Sequence, residues 1–234
     1  MQKVIVECCA NSVSSALTGI KAGANRIELC KSLENGGETP NYSDILKLRS
    51  LTNIDLRILI LPKANNFIYT KEDFKRIIQD IKFCKKNKIN GVVIGALNED
   101  QSINIQQTKE IVEIAKPMKV TFHRAFDTIS NLENDLNKII ECGCDYLLTS
   151  GQKSNVNYGI DNIAKLIKLS NKKIKIIAGG GVNHNNIESL YKIGVREFHL
   201  SGTSKNKSKI LETDYNLINL TVKKLKEIQN QDSD

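Results

Sequence analysis

Gly143-Cys144-Asp145-Tyr146-Leu147-Leu148-Thr149 and Gly194-Val195-Arg196-Glu197-Phe198-His199-Leu200 follow one pattern: a glycine that closes a helix-like stretch, two linking residues, then a short strand-like run. Gly23-Ala24-Asn25-Arg26-Ile27 opens a third copy near the front. Glycine suits the left-handed turn that ends a helix, so each copy marks a helix-to-strand junction. Working outward, strand-like runs are predicted over residues 3–9, 26–30, 55–61, 91–95, 119–123, 146–149, 173–178 and 197–200. Between them lie stretches with a helical apolar rhythm, such as Phe74, Ile77, Ile78 and Ile81, and capping signals at Thr70 with Asp73 and at Ser130 with Glu133. Eight such units of about 29 residues predict an α/β fold, a single-domain (β/α)8 TIM barrel over residues 1–234, with a short polar tail from about residue 229. A doubly wound open sheet is the rival, but Cys9-Ala10-Asn11-Ser12 lacks the glycine fingerprint such sheets often carry after their first strand.

Composition narrows the function classes. The 234 residues, 40 % of them hydrophobic, suffice for one core. No run of 18 apolar residues occurs, and Met1-Gln2-Lys3-Val4 leads straight into a strand rather than a signal-peptide apolar region. A soluble cytoplasmic protein with no membrane partner is expected. The formal charge of +8 raises the question of nucleic acid, but the lysines are interleaved with Asn, Glu and Asp, and cluster only at Lys205, Lys207 and Lys209 and from Lys223 to Lys226. Aromatics make up 5 % and Trp is absent, so stacking platforms are scarce and nucleic acid is not expected as a partner. The six cysteines include the adjacent Cys8 and Cys9, which is no disulfide framework, so reduced thiols are the default.

A barrel strand has one face toward the helices and one toward the lumen, so a mid-strand charge has only the lumen available. Alternation then sends Val6, Cys8, Ile27, Leu29, Val120, Phe122 and Phe198 outward, and Glu7, Cys9, Arg26, Glu28, Cys30, Thr121, His123, Glu197 and His199 inward. Glu7, Arg26, Glu28, His123 and His199 are thereby expected near the C-terminal mouth, where barrel active sites lie. The plainer alternative is a buried network of Arg26 with the two glutamates that only holds register. The desolvation cost of so many ionisable groups favours a functional pocket. In Thr121-Phe122-His123-Arg124-Ala125-Phe126-Asp127, His123 faces inward while Arg124 and Asp127 belong to the mouth.

Gly179, Gly180 and Gly181 after the seventh run and Ser201-Gly202-Thr203 after the eighth suit an anion held by backbone N–H groups, with Thr149-Ser150-Gly151 beside them. Cys9 and Cys30 each lie two residues beyond an inward carboxylate, on neighbouring strands. Such strands lie about 4.8 Å apart, so the two thiols could bind a soft ion such as Cu(I). The alternative is that both are small apolar plugs.

Glu7-Cys8-Cys9-Ala10-Asn11-Ser12, Arg26-Ile27-Glu28-Leu29-Cys30, Gly36-Gly37-Glu38-Thr39-Pro40, the 121–127 segment, Thr149-Ser150-Gly151, Ala178-Gly179-Gly180-Gly181-Val182 and Arg196-Glu197-Phe198-His199 together resemble the CutC copper-homeostasis family. The match runs in order from residue 4 to about residue 203. The resemblance implies a (β/α)8 barrel, a cytoplasmic location, a role in copper handling, and dimers or similar small oligomers in part of the family. The positions it carries over are Glu7, Cys9, Asn11, Arg26, Glu28, Cys30, His123, Arg124, Asp127 and His199. One loop departs: where the family pattern resembles Arg-Pro-Arg-Gly-Gly-Asp-Phe, this chain reads Leu61-Pro62-Lys63-Ala64-Asn65-Asn66-Phe67. Lys63 is the only charge kept, and lysine does not reproduce bidentate anion recognition.

Two functions follow. The first is a copper-homeostasis protein that binds Cu(I) through Cys9 and Cys30, with His123 or His199 nearby and no other cofactor. The second is an enzyme doing proton-transfer or lyase chemistry on a small phosphorylated or carboxylated metabolite. In it Gly179, Gly180, Gly181, Ser201 and Gly202 hold the anion, Glu7, Asn11, Asp127 and His199 add binding contacts, His123 or Glu28 is general acid or base, and Arg26 or Arg124 stabilises developing negative charge.

Overall fold

The computed structural model describes residues 3–205 and 211–232. Lys207 and Lys209, named above for their charge, lie outside the described residues. Eight parallel strands close on themselves in chain order: β1 (Ile5–Ala10), β2 (Arg26–Leu29), β3 (Asp55–Leu59), β4 (Gly91–Ile94), β5 (Lys119–Phe122), β6 (Tyr146–Thr149), β7 (Lys175–Gly179) and β8 (Glu197–Leu200), which pairs back onto β1. Helices α1 (Val13–Lys21), α2 (Tyr42–Leu51), α3 (Lys71–Lys86), α4 (Ile105–Ala115), α5 (Leu132–Glu141), α6 (Val156–Ser170), α7 (Ile187–Lys192) and α8 (Tyr215–Gln231) each follow the strand of the same number. This is the (β/α)8 barrel that the alternation predicted.

Local chemistry sets the element ends. Gly23, Gly143 and Gly194 take φ of 105°, 85° and 100° just before their strands, values an L side chain resists. Thr70 and Asp73 form the expected reciprocal cap of α3. The α5 cap falls one residue later than expected, on Asn131, whose side-chain oxygen accepts the Asn134 N–H at 3.1 Å; asparagine competes with serine for that role. Strand β3 stops at Leu59, short of the predicted 61, because Leu61 instead exchanges bonds with Thr39. A hairpin of β9 (Thr203–Lys205) and β10 (Leu211–Thr213) precedes α8. That helix runs through Gln231, so residues 229–231 of the expected polar tail belong to its last turn.

The outward residues Cys8, Ile27, Leu29, Phe122 and Phe198 are completely buried beneath the helices. Apolar burial there drives closure, and the lumen is left for the charges. Among the described residues no helix is long and apolar enough to cross a membrane.

Candidate functional site

Register sorts the inward side chains into two tiers. Arg26 starts β2 level with Glu7 and Asp55, whereas Glu28 lies level with Cys9. Arg26, expected at the mouth, therefore sits in the lower lumen. Its Nε donates to Glu7, its Nη2 lies 2.8 Å from Glu197 Oε2 as an ion pair, and its guanidinium lies 5.2 Å from the Tyr146 ring centroid. Arg57 completes this tier, bonded to Asp55 at 2.9 Å and 4.7 Å above the same ring.

Glu7 joins the tiers, because its other oxygen lies 2.6 Å from His199 Nδ1. Burial alone would raise the Glu7 pKa, but Arg26 and the His199 hydrogen bond outweigh it and hold the carboxyl well below its usual range. The pair thus orients His199 with its Nδ1–H on Glu7, and the other nitrogen can take a metal once it gives up its proton.

The upper tier surrounds a cavity of about 280 Å³ lined by Cys9, Glu28, Cys30, His123, Arg124 and His199, with Leu33, Leu59, Leu61, Phe67 and Leu148 as apolar wall. Cys9 Sγ lies 3.9 Å from Cys30 Sγ and 3.8 Å from Glu28 Oε1. Donor atoms of Cys9, Glu28 and His199 all fall within 4.8 Å of one another, a spacing that could hold a metal ion. The hydrogen bond to Cys30, then burial, push the Cys9 thiol well up. Burial pushes Glu28 up to about 7 against the pull of His199. Burial opposes charge on His199, but Glu28, Cys9 and Glu7 together raise its pKa well above the usual value. Burial pushes His123 down to about 4. Glu28 Oε2 and His123 Nε2 are buried with no hydrogen-bond partner among the described residues.

Other expected site residues lie elsewhere or serve differently. Arg124 stands at the cavity rim, its Nε on Asp127 at 2.8 Å and its Nη2 on Ser150 at 3.0 Å. Asp127 also accepts from the Thr149 hydroxyl, both donors of Ser150, and the Gln152 N–H. Thr149 and Ser150 therefore donate to Asp127, and the Gly151 N–H to the Thr149 hydroxyl, so the loop fixes Arg124 where an anion cradle was expected. Asn11 does not reach the cavity: its amide bonds Leu211 O at 2.7 Å and the Ser15 hydroxyl at 2.9 Å, tying the hairpin to α1.

Gly179, Gly180, Gly181, Ser201 and Gly202 do not line the cavity either. Gly180 O takes the Val156 N–H and Gly202 O the Asp214 N–H, so both loops are tied to helix starts. Lys63, the charge kept in the departing loop, is held 3.2 Å from Asp73 on α3. Sequence reasoning missed Gly95: a Cβ there would lie 2.2 Å from the His123 ring, so only glycine leaves the ring its seat. The glycine ending the 91–95 run was the available signal.

The CutC family model matches residues 4–204. The chain belongs to the CutC family. A CutC family protein of Parabacteroides distasonis is 41 % identical over 204 residues, 86 % of this chain and 84 % of that protein. One from Bacteroides fragilis is 38 % identical over 210 residues, 89 % of this chain and 84 % of its own. The crystal structure of a CutC protein from Streptococcus agalactiae, provisionally described as a copper homeostasis protein, is similar at a TM-score of 0.80 and 25 % identity, over 85 % of this chain and 98 % of that one.

In this CutC chain the Glu28 carboxyl leaves a signature in stability. Its folded pKa of about 7 exceeds the ordinary 4.5, so the stability it contributes is full below 4.5 and is lost as pH rises through about 7. Glu28→Gln removes that loss. The melting temperature of the variant should gain on wild type between pH 5 and pH 8, and a difference independent of pH would contradict the assignment.

Proposed function

We propose that this CutC protein binds Cu(I) at the barrel mouth through Cys9 and Cys30, as a cytoplasmic copper-handling protein. The observation that carries the reading is the 3.9 Å separation of two buried thiols on adjacent strand ends. Metal–thiolate bonds of about 2.3 Å would close that gap at an angle of roughly 116°, near trigonal, which leaves a third position. His199 and Glu28 both lie close enough to supply it, and a soft ion favours the imidazole. The copper description of the Streptococcus agalactiae relative points the same way.

Binding must displace the Cys9 proton, which the Cys30 hydrogen bond and burial hold firmly, so affinity should rise with pH. Competition of the reduced protein against a Cu(I) chelator tests this. Cys9→Ser with Cys30→Ser should weaken binding at least about 100-fold. Cys8→Ser should not, because Cys8 faces α1 against Gly19. Equal affinities for wild type and the double variant would remove the reading.

A second reading is favoured by Glu28 Oε2 and His123 Nε2, two buried atoms of one cavity with no hydrogen-bond partner among the described residues, the former 4.0 Å from His199 Nδ1. Such atoms cost free energy until a ligand satisfies them. It is an enzyme performing proton-transfer or lyase chemistry on a small metabolite, with Glu28, at about 7, suited to acid–base work.

A further inference from the structure

The copper reading leaves His123 unused, yet its ring is held in place at the mouth. Nδ1 accepts the Ala125 N–H at 3.1 Å, so that nitrogen carries a lone pair and the neutral ring holds its proton on Nε2. Burial keeps the ring neutral, with a pKa near 4. Nε2 is consequently a donor: to bind a metal or take up a proton it would have to move its hydrogen to Nδ1 and forfeit the Ala125 bond.

The ring cannot easily turn. Gly95 lies against one side, where a Cβ would be 2.2 Å from Cε1, and the Phe67 ring packs nearby at 4.9 Å between centroids, tilted 55°. A donor fixed in direction, buried and unpartnered calls for an acceptor oxygen from a ligand. The same cavity presents Glu28 Oε2, which has no hydrogen-bond partner among the described residues and lies 4.0 Å from His199 Nδ1, an apolar wall, and the Arg124 guanidinium at its rim. At about 280 Å³ it lies just under the roughly 300 Å³ at which ordinary ligand pockets begin, so the ligand is compact.

We propose that the mouth cavity takes a compact 2-oxo or 2-hydroxy-carbonyl compound, its carbonyl oxygen on His123 Nε2–H, the adjoining carbon or hydroxyl facing Glu28 Oε2, and an anionic end at Arg124. The inference rests on the second reading in treating the cavity as a small-molecule site. A neutral imidazole N–H polarises a carbonyl from a fixed direction without itself being charged. Gly95 is then a positioning residue, acting through the ring that it seats.

The test is histidine side-chain NMR on the full chain, whose three histidines are assigned by substitution. Free protein should show His123 as the neutral Nε2–H tautomer. Pyruvate or dihydroxyacetone phosphate should shift that signal, while glycerol 3-phosphate, which lacks the carbonyl, should not; pyruvate against the phosphate separates a carboxylate end from a phosphate end. Gly95→Ala should weaken the response about tenfold while leaving Cu(I) binding intact. An Nδ1–H tautomer, no shift with either carbonyl probe at millimolar concentration, or an equal shift with glycerol 3-phosphate overturns the proposal. Binding without exchange of the adjoining C–H in D2O supports the ligand class and instead removes the enzyme reading.

Discussion

Replacing Arg26 by leucine should lower folding stability by about 3–5 kcal/mol, the range for stripping one partner from a buried ionic group. Arg26 is 2 % exposed and faces two carboxylates, Glu7 and Glu197. Without it both remain below the mouth, where desolvation is costly and Arg57, His199 and Lys175, the last 3.5 Å from Glu197, are the remaining counter-charges. The same logic predicts recovery: adding Glu7→Gln and Glu197→Gln to Arg26→Leu should restore much of the loss, since uncompensated charge rather than the missing guanidinium causes it. Urea unfolding at neutral pH measures both. A loss below about 1 kcal/mol for the single variant would show that the carboxylates find other partners.

Gly159→Ala should cost about 1–3 kcal/mol or more, although the residue lies on a helix outside the cavity lining. A Cβ at Gly159 on α6 would stand 1.8 Å from Ser150 O, a backbone atom with no side-chain freedom to yield. Gly151, at φ 75°, lies against Gly159 O from the other side. Helix and loop thus touch backbone to backbone, and the same loop holds Asp127, which holds Arg124. The variant should melt several degrees lower and respond less to an anionic ligand. Unchanged melting would mean that the loop can shift freely, and with it the rim.

The barrel was legible because its signals are local and repeated: Gly23, Gly143 and Gly194 close helices, and the strand faces alternate. The inward assignment of Glu7, Glu28 and His199 was legible too, since no charge can be tolerated beneath the helices. Height along the barrel was not. Arg26 and Glu28 share a face, and only the pairing of β2 with β1 shows that one belongs to the lower ion-pair tier and the other to the mouth. Nor can composition tell whether a polar loop keeps its donors free. Thr149, Ser150 and Gly151 looked like an anion cradle, but the first two donate to Asp127, a partner from the preceding unit. Gly95 escaped for the converse reason, because what matters there is an absent side chain opposite a residue on the next strand end.

Copper-edge X-ray absorption of the reduced protein loaded with one equivalent of Cu(I) tests the central claim most directly. The predicted result is two sulfur neighbours at about 2.3 Å, with a nitrogen from His199, and loss of both sulfurs in the Cys9→Ser, Cys30→Ser variant. A shell of nitrogen and oxygen alone, or a sulfur count unchanged in the variant, would contradict it.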